Sequence, residues 1–244
     1  MKERPAKLAS IITSVYNSAD QIDGLLKDMR RQTFFDLCEW IFVDADSPQN
    51  EFDIIKPFAD DHENVSLHKL QKDKGVFDTW NYCIKNTSAP YISNWNCDDR
   101  RAPWALEKQI LALEDNPSVS LVYNIILETP NPNETFEFNT AQHIWPCLDF
   151  SKENLYKVNS PHNCPMWRRS LHDDYGLFDQ NYPVCADYDL WVRAAAGGDS
   201  FLKIDEPLAL YYRSPVGNST KEENLKGAYK EIEEIRQKLI GALQ

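Results

Sequence analysis

The sequence predicts an α/β fold in which a mostly parallel sheet is flanked by helices, followed by a smaller irregular region and a C-terminal helix. Three observations predict this architecture. Apolar runs alternate with helix-period segments through the first 127 residues, a rhythm typical of βαβ units. A stretch rich in proline and asparagine interrupts that rhythm from about residue 128. Residues 221–243 then place apolar side chains at helical spacing.

The elements follow one another at regular intervals. The first strand is the apolar run at 7–17, and Ser18 starts the next helix, with Gln21 at the distance of a capping box. Further strands are predicted at 39–44, 65–70, 90–96 and 118–127. Helices are predicted between them at 51–60, 76–86 and 102–116.

The second region carries fewer signals. We expect a helix at about 187–196 and two short strands at 201–204 and 208–213. The apolar face of the C-terminal helix needs a partner, which is either its own domain or a second copy of the chain. A homodimer formed through this helix is therefore one expectation.

Composition bounds the class of protein. A formal net charge of −12 and a pI near 4.9 argue against nucleic acid as a partner, because a phosphate backbone requires a basic surface. No apolar run reaches the length of a membrane span, and the N-terminal residues carry too short an apolar run for a signal peptide. Six cysteines without a C-x-x-C pair indicate reduced thiols. We expect a cytoplasmic protein, with peripheral association with the inner face of the membrane as an alternative.

Polar clusters follow three of the predicted strands. They read "TSVYNS" after the first strand, "VDADS" after the second and "NCDDR" after the fourth. Ligands of an open parallel sheet bind at the carboxyl ends of its strands. We therefore expect a ligand site where these three clusters meet.

Asp98 and Asp99 are adjacent carboxylates, which repel each other unless a positive group lies nearby. One interpretation is a cap for the following helix, which begins near Pro103. The other is a divalent cation, because Mg²⁺ or Mn²⁺ commonly binds one or two protein carboxylates together with substrate phosphates. Both interpretations stay open at this point.

The chain lacks the glycine-rich loops that bind dinucleotides or hold phosphates in P-loop enzymes. A nucleotide can still bind differently. Tyr16 offers a stacking face, Asp44 or Asp46 can accept from a base or ribose, and Lys74 can lie near phosphate. Taken singly, a residue such as Tyr16 is more often a packing residue and one such as Lys74 more often a solvated charge.

Motifs in three stretches agree with one known pattern. Residues 9–51 contain a strand ending in "VYN", a helix ending in "RQT" and a strand ending in "VDADS". Residues 73–100 join "DKG" to a strand that ends in "CDD", and residues 175–195 combine "GLFDQ" with "ADYDLWVR". In these motifs the chain resembles the family 2 glycosyltransferases, over about residues 8–215.

The resemblance implies a GT-A type, Rossmann-like fold and an inverting transfer of sugar from a nucleotide-diphosphate donor to an acceptor hydroxyl. It implies one domain at 1–220, with a nucleotide-sugar-binding half at 1–127, an acceptor half at 128–220 and an amphipathic helix at 221–244. UDP is the first expected donor nucleotide, with GDP or dTDP as alternatives. The acceptor would be a glycan, lipid-linked or protein hydroxyl, as in polysaccharide biosynthesis.

Site residues transfer from the family position by position. Ser14 and Tyr16 would line the nucleoside pocket, with Asp44 beside the base or ribose. Asp98 would lie near the ribose, and Asp99 would hold Mn²⁺ or Mg²⁺ on the diphosphate.

The late motif implies that Asp187 is the general base, whereas a helix-start carboxylate is its structural alternative. Asp189, two residues further on, is the second candidate for the base and is also an expected acceptor residue. His162 lies where the family turns to its acceptor half, and it either contacts the acceptor or makes a structural hydrogen bond. Trp145 and Trp167 are the tryptophans expected to stack on a sugar.

The sequence departs from the family pattern at three places. Ala45 replaces the usual second aspartate of "VDADS", Ala186 replaces the glutamate before the base, and no histidine occurs at 213–215. A non-catalytic domain that binds a nucleotide-sugar or glycan is therefore the alternative function. A nucleotidyltransferase is rejected, because the first loop is neither glycine-rich nor basic.

Overall fold

The computed structural model describes residues 7–215, 217 and 222–241. Its strands are β1 (Ala9–Val15), β2 (Cys38–Asp44), β3 (Val65–Lys69), β4 (Tyr91–Asn94), β5 (Arg100–Arg101), β6 (Val119–Thr129), β7 (His143–Ile144), β8 (Met166–Arg168) and β9 (Ser200–Tyr212). Its helices are α1 (Ala19–Arg30), α2 (Glu51–Asp61), α3 (Val76–Lys85), α4 (Ala105–Asp115), α5 (Lys152–Lys157), α6 (Ser170–Tyr175), α7 (Ala186–Gly197) and α8 (Glu222–Gly241).

One sheet runs through the protein in the order β3-β2-β1-β4-β8-β6-β9-β5, and β7 pairs with β6. Strands β1 to β4 are mutually parallel, whereas β8 is antiparallel to both β4 and β6. Parallel order resumes between β6 and β9. The parallel half therefore directs the carboxyl ends of β1, β2 and β4 toward one edge.

Side chains on the central strand alternate between two hydrophobic clusters, one on each face of the sheet. Ile12 belongs to the cluster that includes residues of α3, α7 and α8. Ile11 and Val15 belong to the cluster that includes residues of α1 and α4. Burial on both faces explains why these strands read as continuous apolar runs.

The predicted elements of the first region are all present, with ends displaced by a few residues. The capping box at α1 is wrong: the Ser18 side chain makes no cap, and the Ser18 N–H donates to Glu51 Oε1 at 2.6 Å. The two short strands predicted at 201–204 and 208–213 are also wrong. They form the single strand β9, whose pairing with β6 shifts register near Pro207.

The C-terminal helix docks on its own domain. Ile235 and Leu239 are fully buried within the cluster that contains α7 residues. This contact is the first of the two alternatives predicted for the helix, and the homodimer stays a prediction. All six cysteines are free. Within the described ranges, no helix has both the length and the apolar character of a membrane span.

Candidate active site

The three polar clusters predicted from the sequence lie together at the carboxyl ends of β1, β2 and β4. The Ala45 N–H donates to the Val15 carbonyl at 3.0 Å, which joins the ends of β1 and β2. The Cys97 thiol donates to the Ser14 carbonyl at 3.4 Å, which joins the loop after β4 to the end of β1. The parallel strand order thus brings distant sequence segments to one edge of the sheet.

A cleft of about 490 Å³ opens beside this edge. Its polar side carries Asn94, Asn96 and Asp98, and α7 contributes Asp187 and Tyr188. An aromatic wall and the apolar face of α8 complete the lining, with Trp145, His162, Tyr211, Leu225, Tyr229 and Ile232. The cleft is therefore lined by residues from before and after residue 128 and by α8.

Asp98 is half-buried and lines the cleft, whereas Asp99 is only 3% exposed behind it. Asp99 accepts hydrogen bonds from Asn96 Nδ2 at 2.9 Å and from the Tyr212 N–H at 3.3 Å. Burial, together with the neighbouring Asp98, raises the pKa of Asp99 to about 8, and burial also raises the pKa of Asp98. The paired carboxylates are thus held at short range in a poorly solvated place.

Two adjacent carboxylates suit a hard divalent cation that takes its other ligands from phosphate and water. Asp98 faces the cleft, whereas both oxygens of Asp99 accept hydrogen bonds from the protein behind it. Among the residues that the structure describes, no group of three or more His, Cys, Asp or Glu side chains forms an all-protein metal site. The helix-cap alternative is not observed, because Trp104 precedes α4 and no side chain caps that helix.

Asp187 lies in the first turn of α7 and faces the cleft. Asn159 Nδ2 donates to Asp187 Oδ2 at 3.0 Å. Burial raises the pKa of Asp187 to about 6, against the opposing effects of the Tyr188 N–H and Asn159. A carboxylate with a pKa near the working pH can remove a proton from a hydroxyl group in the cleft.

The remaining predicted nucleotide-binding residues lie outside the cleft. Asp44 is fully buried, and its Oδ1 accepts from the Ser47 N–H at 2.8 Å. Tyr16 and Asp46 are exposed, and Ser14 is half-buried, at the ends of β1 and β2. Lys74 is exposed in the loop before α3. The structure brings the first four together and leaves Lys74 on the surface nearby.

His162 lines the cleft, as expected of an acceptor residue. Its ring stacks on Trp145 with 3.9 Å between centroids and meets the edge of Tyr211. Burial lowers the pKa of His162 to about 4, so the imidazole is neutral at pH 7. A neutral ring in this position can donate to or accept from a sugar hydroxyl.

Trp167 and Asp189, the other acceptor candidates, do not reach the cleft. Trp167 is fully buried, and its Nε1 donates to His172 Nε2 at 2.9 Å. Asp189 is also fully buried, and it accepts from Arg193 Nε at 2.8 Å and pairs with Lys238. Because neither side chain has a free face, both leave the set of acceptor candidates.

Sequence reasoning missed the residues that surround Asp187. Asn159 lies in an irregular loop and carries no motif, and Glu231 and Arg236 lie on α8. The apolar spacing of α8 indicated a packed helix but not which polar residues face inward. Their roles depend on contacts between segments that are far apart in the sequence.

A family model described as glycosyl transferase family 2 matches residues 10–175. The chain belongs to glycosyl transferase family 2. It is 24% identical to an uncharacterized glycosyltransferase of Methanocaldococcus jannaschii, over 87% of this chain and 73% of that protein. The family resemblance and the enzyme class, a glycosyltransferase, are thereby confirmed.

Two solved structures confirm the GT-A fold. S. aureus TarS 1-349 in complex with UDP has a TM-score of 0.75 at 15% identity, covering 96% of this chain and 65% of that one. The mannosyltransferase PcManGT from Pyrobaculum calidifontis, in complex with GDP-Man and Mn²⁺, has a TM-score of 0.66 at 15% identity. It covers 88% of this chain and 62% of the other. The chain thus spans slightly less than two thirds of the length of each solved relative.

Proposed function

We propose that this family 2 glycosyltransferase moves a sugar from a nucleotide-diphosphate donor to an acceptor hydroxyl, with inversion at the sugar carbon and Asp187 as the general base. One observation carries the proposal. Asp187 lines the same cleft as Asp98, so the proposed base lies within one cavity with the first carboxylate of the proposed donor side.

The donor nucleotide binds at the carboxyl ends of β1, β2 and β4, where Ser14, Tyr16 and Asp44 lie beside Asp98. The nucleotides bound to the two solved relatives, UDP and GDP-Man, support a nucleotide-sugar donor. UDP is the first candidate, and GDP and dTDP follow. Asp46 and Lys74 are exposed side chains that would contact base, ribose or phosphate.

Asp98 and Asp99 would hold a divalent cation, Mn²⁺ or Mg²⁺, and the Mn²⁺ in the mannosyltransferase complex supports this assignment. When bound, the cation supplies positive charge to the diphosphate as the sugar departs. Protein residues alone offer it few ligands, so its binding depends on the donor phosphates.

The reaction requires one proton transfer and one displacement. Asp187 accepts the proton of the acceptor hydroxyl while that oxygen forms a bond to the anomeric carbon. The bond from the anomeric carbon to the diphosphate oxygen breaks on the opposite face, and its electron pair stays with the nucleoside diphosphate. Asn159 orients the Asp187 carboxylate through its 3.0 Å hydrogen bond.

The acceptor occupies the part of the cleft between His162 and α8. Trp145 and His162 form a stacked aromatic surface there, which suits the face of a sugar ring. A glycan, a lipid-linked sugar or a glycosylated protein can present such a hydroxyl. The proposal includes that the enzyme acts in the cytoplasm or at the inner face of a membrane.

A thermal-shift and activity experiment tests the proposal. Wild type, Asp99→Ala and Asp187→Asn are melted with UDP, GDP, dTDP and CDP, each with and without Mn²⁺, because a ligand of the folded state raises Tm. We expect one nucleotide to stabilise wild type and Asp187→Asn only with Mn²⁺, and Asp99→Ala to lose that effect. Transfer by Asp187→Asn should fall by about 10²- to 10⁴-fold.

Asp173→Asn is the matched control, because Asp173 is an exposed aspartate in the first turn of α6. It should retain both donor binding and transfer. Full transfer by Asp187→Asn would overturn the base assignment. The absence of any nucleotide effect on wild type would overturn donor binding and favour a glycan-binding domain.

A further inference from the structure

Helix α8 supplies a hydrogen-bonding group to the start of α7, the helix that carries Asp187. Glu231 Oε2 accepts from the Val184 N–H at 3.1 Å and from the Cys185 N–H at 2.8 Å. Glu231 is only 8% exposed. A glutamate from a distant part of the chain therefore satisfies the backbone donors just before α7.

The two N–H groups lie at the entry to α7. Cys185 is the residue before the helix, and its side chain makes no capping hydrogen bond. The N–H groups at a helix start need acceptors, and a carboxylate is favourable near the positive end of the helix dipole. Because Asp187 lies two residues after Cys185, the contact with Glu231 fixes the backbone from which the proposed base projects.

Helix α8 also holds the segment that carries the partner of Asp187. Arg236 Nη2 donates to the Lys157 carbonyl at 2.9 Å, and the guanidinium lies 5.1 Å from the centroid of the Tyr156 ring. Asn159, which donates to Asp187, follows Lys157 by two residues. A third link joins Lys238 of α8 to the buried Asp189 of α7.

We propose that Glu231 is a positioning residue for Asp187, so that α8 belongs to the catalytic apparatus of this enzyme and does more than cover its apolar core. The inference rests on the proposed role of Asp187 as the base. It assigns to Glu231 two effects, one on the geometry of Asp187 and one on its charge.

The charge effect is separable from the geometric one. The negative charge of Glu231 raises the pKa of Asp187, after the larger effect of burial. The other titratable or charged groups that line the cleft lie on several elements: Asp98, Lys157, His162, Cys185, Tyr188, Tyr211, Tyr212, Tyr229 and Arg236. All of them stay in place when Glu231 alone is changed.

Two variants of Glu231 separate the two effects. In Glu231→Gln, the amide oxygen still accepts from both N–H groups, but the negative charge is lost. Without that charge the pKa of Asp187 should be lower. Since the base works when deprotonated, the acidic limb of the pH profile of kcat/KM should then move to lower pH. In Glu231→Ala, both N–H groups lose their acceptor, and kcat should fall about 10- to 100-fold through misplacement of the base.

Glu234→Gln is the matched control, because it makes the same chemical change at an exposed position of the same helix. It should keep the wild-type pH profile and kcat. Asp187→Asn is measured alongside, and thermal melts show which variants are folded. KM for the donor should stay near the wild-type value in each folded variant, because the donor site lies on the other side of the cleft.

The outcomes distinguish the inference from the function on which it rests. A shifted limb in Glu231→Gln, with Glu234→Gln unchanged, supports the inference even if Glu231→Ala fails to fold. An inactive Asp187→Asn combined with a wild-type profile for Glu231→Gln overturns the inference alone. A fully active Asp187→Asn overturns the base assignment, and the role of Glu231 falls with it.

Discussion

The two proposed halves of the molecule hold their polar side chains in different ways. In the proposed donor half, residues 1–127, the Asp44 carboxylate accepts from the N–H of Ser47, only three residues away. On the proposed acceptor side, Asp187 accepts from Asn159, and the residues before its helix are held by Glu231 of α8. Both sides combine segments that are distant in the sequence, since β1, β2 and β4 also meet only in the folded sheet. They differ in that Asp44 is held within its own loop, whereas Asp187 depends on α8 and on the loop after α5.

Two buried aspartates make this difference measurable. Asp189 in the acceptor half is fully buried between two cations, Arg193 and Lys238. Asp28 in the donor half is 4% exposed and accepts from the Arg101 N–H at 2.7 Å. We therefore expect Asp189 to be needed for its charge, whereas Asp28 is needed mainly as a hydrogen-bond acceptor.

The largest effect is expected from Asp189→Ala, which removes the ion pair between α7 and α8. Arg193 and Lys238 would lose their buried partner, and breaking such a pair costs several kcal/mol. Because both cations are partly exposed, we expect a loss of about 3 kcal/mol in the free energy of unfolding, measured by urea denaturation.

Asp60→Ala is the control in the donor half. Asp60 forms an exposed pair with Lys56 on α2, and pairs of this kind contribute about 0.5 kcal/mol or less. Equal losses in the two variants would contradict the view that α8 is anchored by a buried ion pair.

The sequence predicted the donor half well because its signals are local. Apolar runs marked β1, β2 and β4, and the polar residues at their ends marked the ligand edge. The apolar runs at 201–204 and 208–213 predicted two strands, because the polar residues Asp205 and Glu206 and then Pro207 separate them. In the structure a register shift against β6 carries the strand through these residues.

The acceptor side was predicted only where a family motif stood in the sequence. Asp187 came from such a motif, but Asn159 and Glu231 lie 28 and 44 residues from it and show no pattern of their own. Trp167 was assigned to the acceptor because its segment is irregular. Its indole is instead buried against Trp191 of α7, a contact that no local pattern indicates.

A smaller effect is expected at His172, whose protonation makes the stability of the fold depend on pH. His172 accepts from Trp167 Nε1, and its Nδ1 lies 3.0 Å from the Gly176 carbonyl. Burial, assisted by Arg169 and Arg193, lowers the pKa of His172 to about 4 from 6.5, while Asp173 and the Gly176 carbonyl oppose the shift. Between these values the unfolded chain binds more protons than the folded one, so stability falls as the pH falls.

His172→Gln removes this titration and retains a side chain that can both donate and accept. Between pH 7 and pH 5, wild type should lose about 1 to 2 kcal/mol more stability than the variant, measured by urea denaturation at each pH. The comparison uses the change with pH, so a constant cost of the substitution does not matter. Parallel losses would show that His172 is not held neutral in the fold.

The smallest effect is expected from Asp28→Asn in the donor half. Burial raises the pKa of Asp28 to about 6, despite the Arg101 N–H and the charge of Arg100, so the folded state binds its proton more tightly than the unfolded one. This contribution to stability is present at low pH and is lost as the pH rises through about 6.

Asparagine at position 28 keeps an oxygen for the Arg101 N–H and carries no charge at any pH. At pH 8 the variant should therefore equal wild type or exceed it by up to about 1 kcal/mol, and the difference should shrink toward pH 5. A large loss at pH 8 would mean that the charge of Asp28 is needed, as that of Asp189 is. The two halves would then not differ in how they use a buried carboxylate.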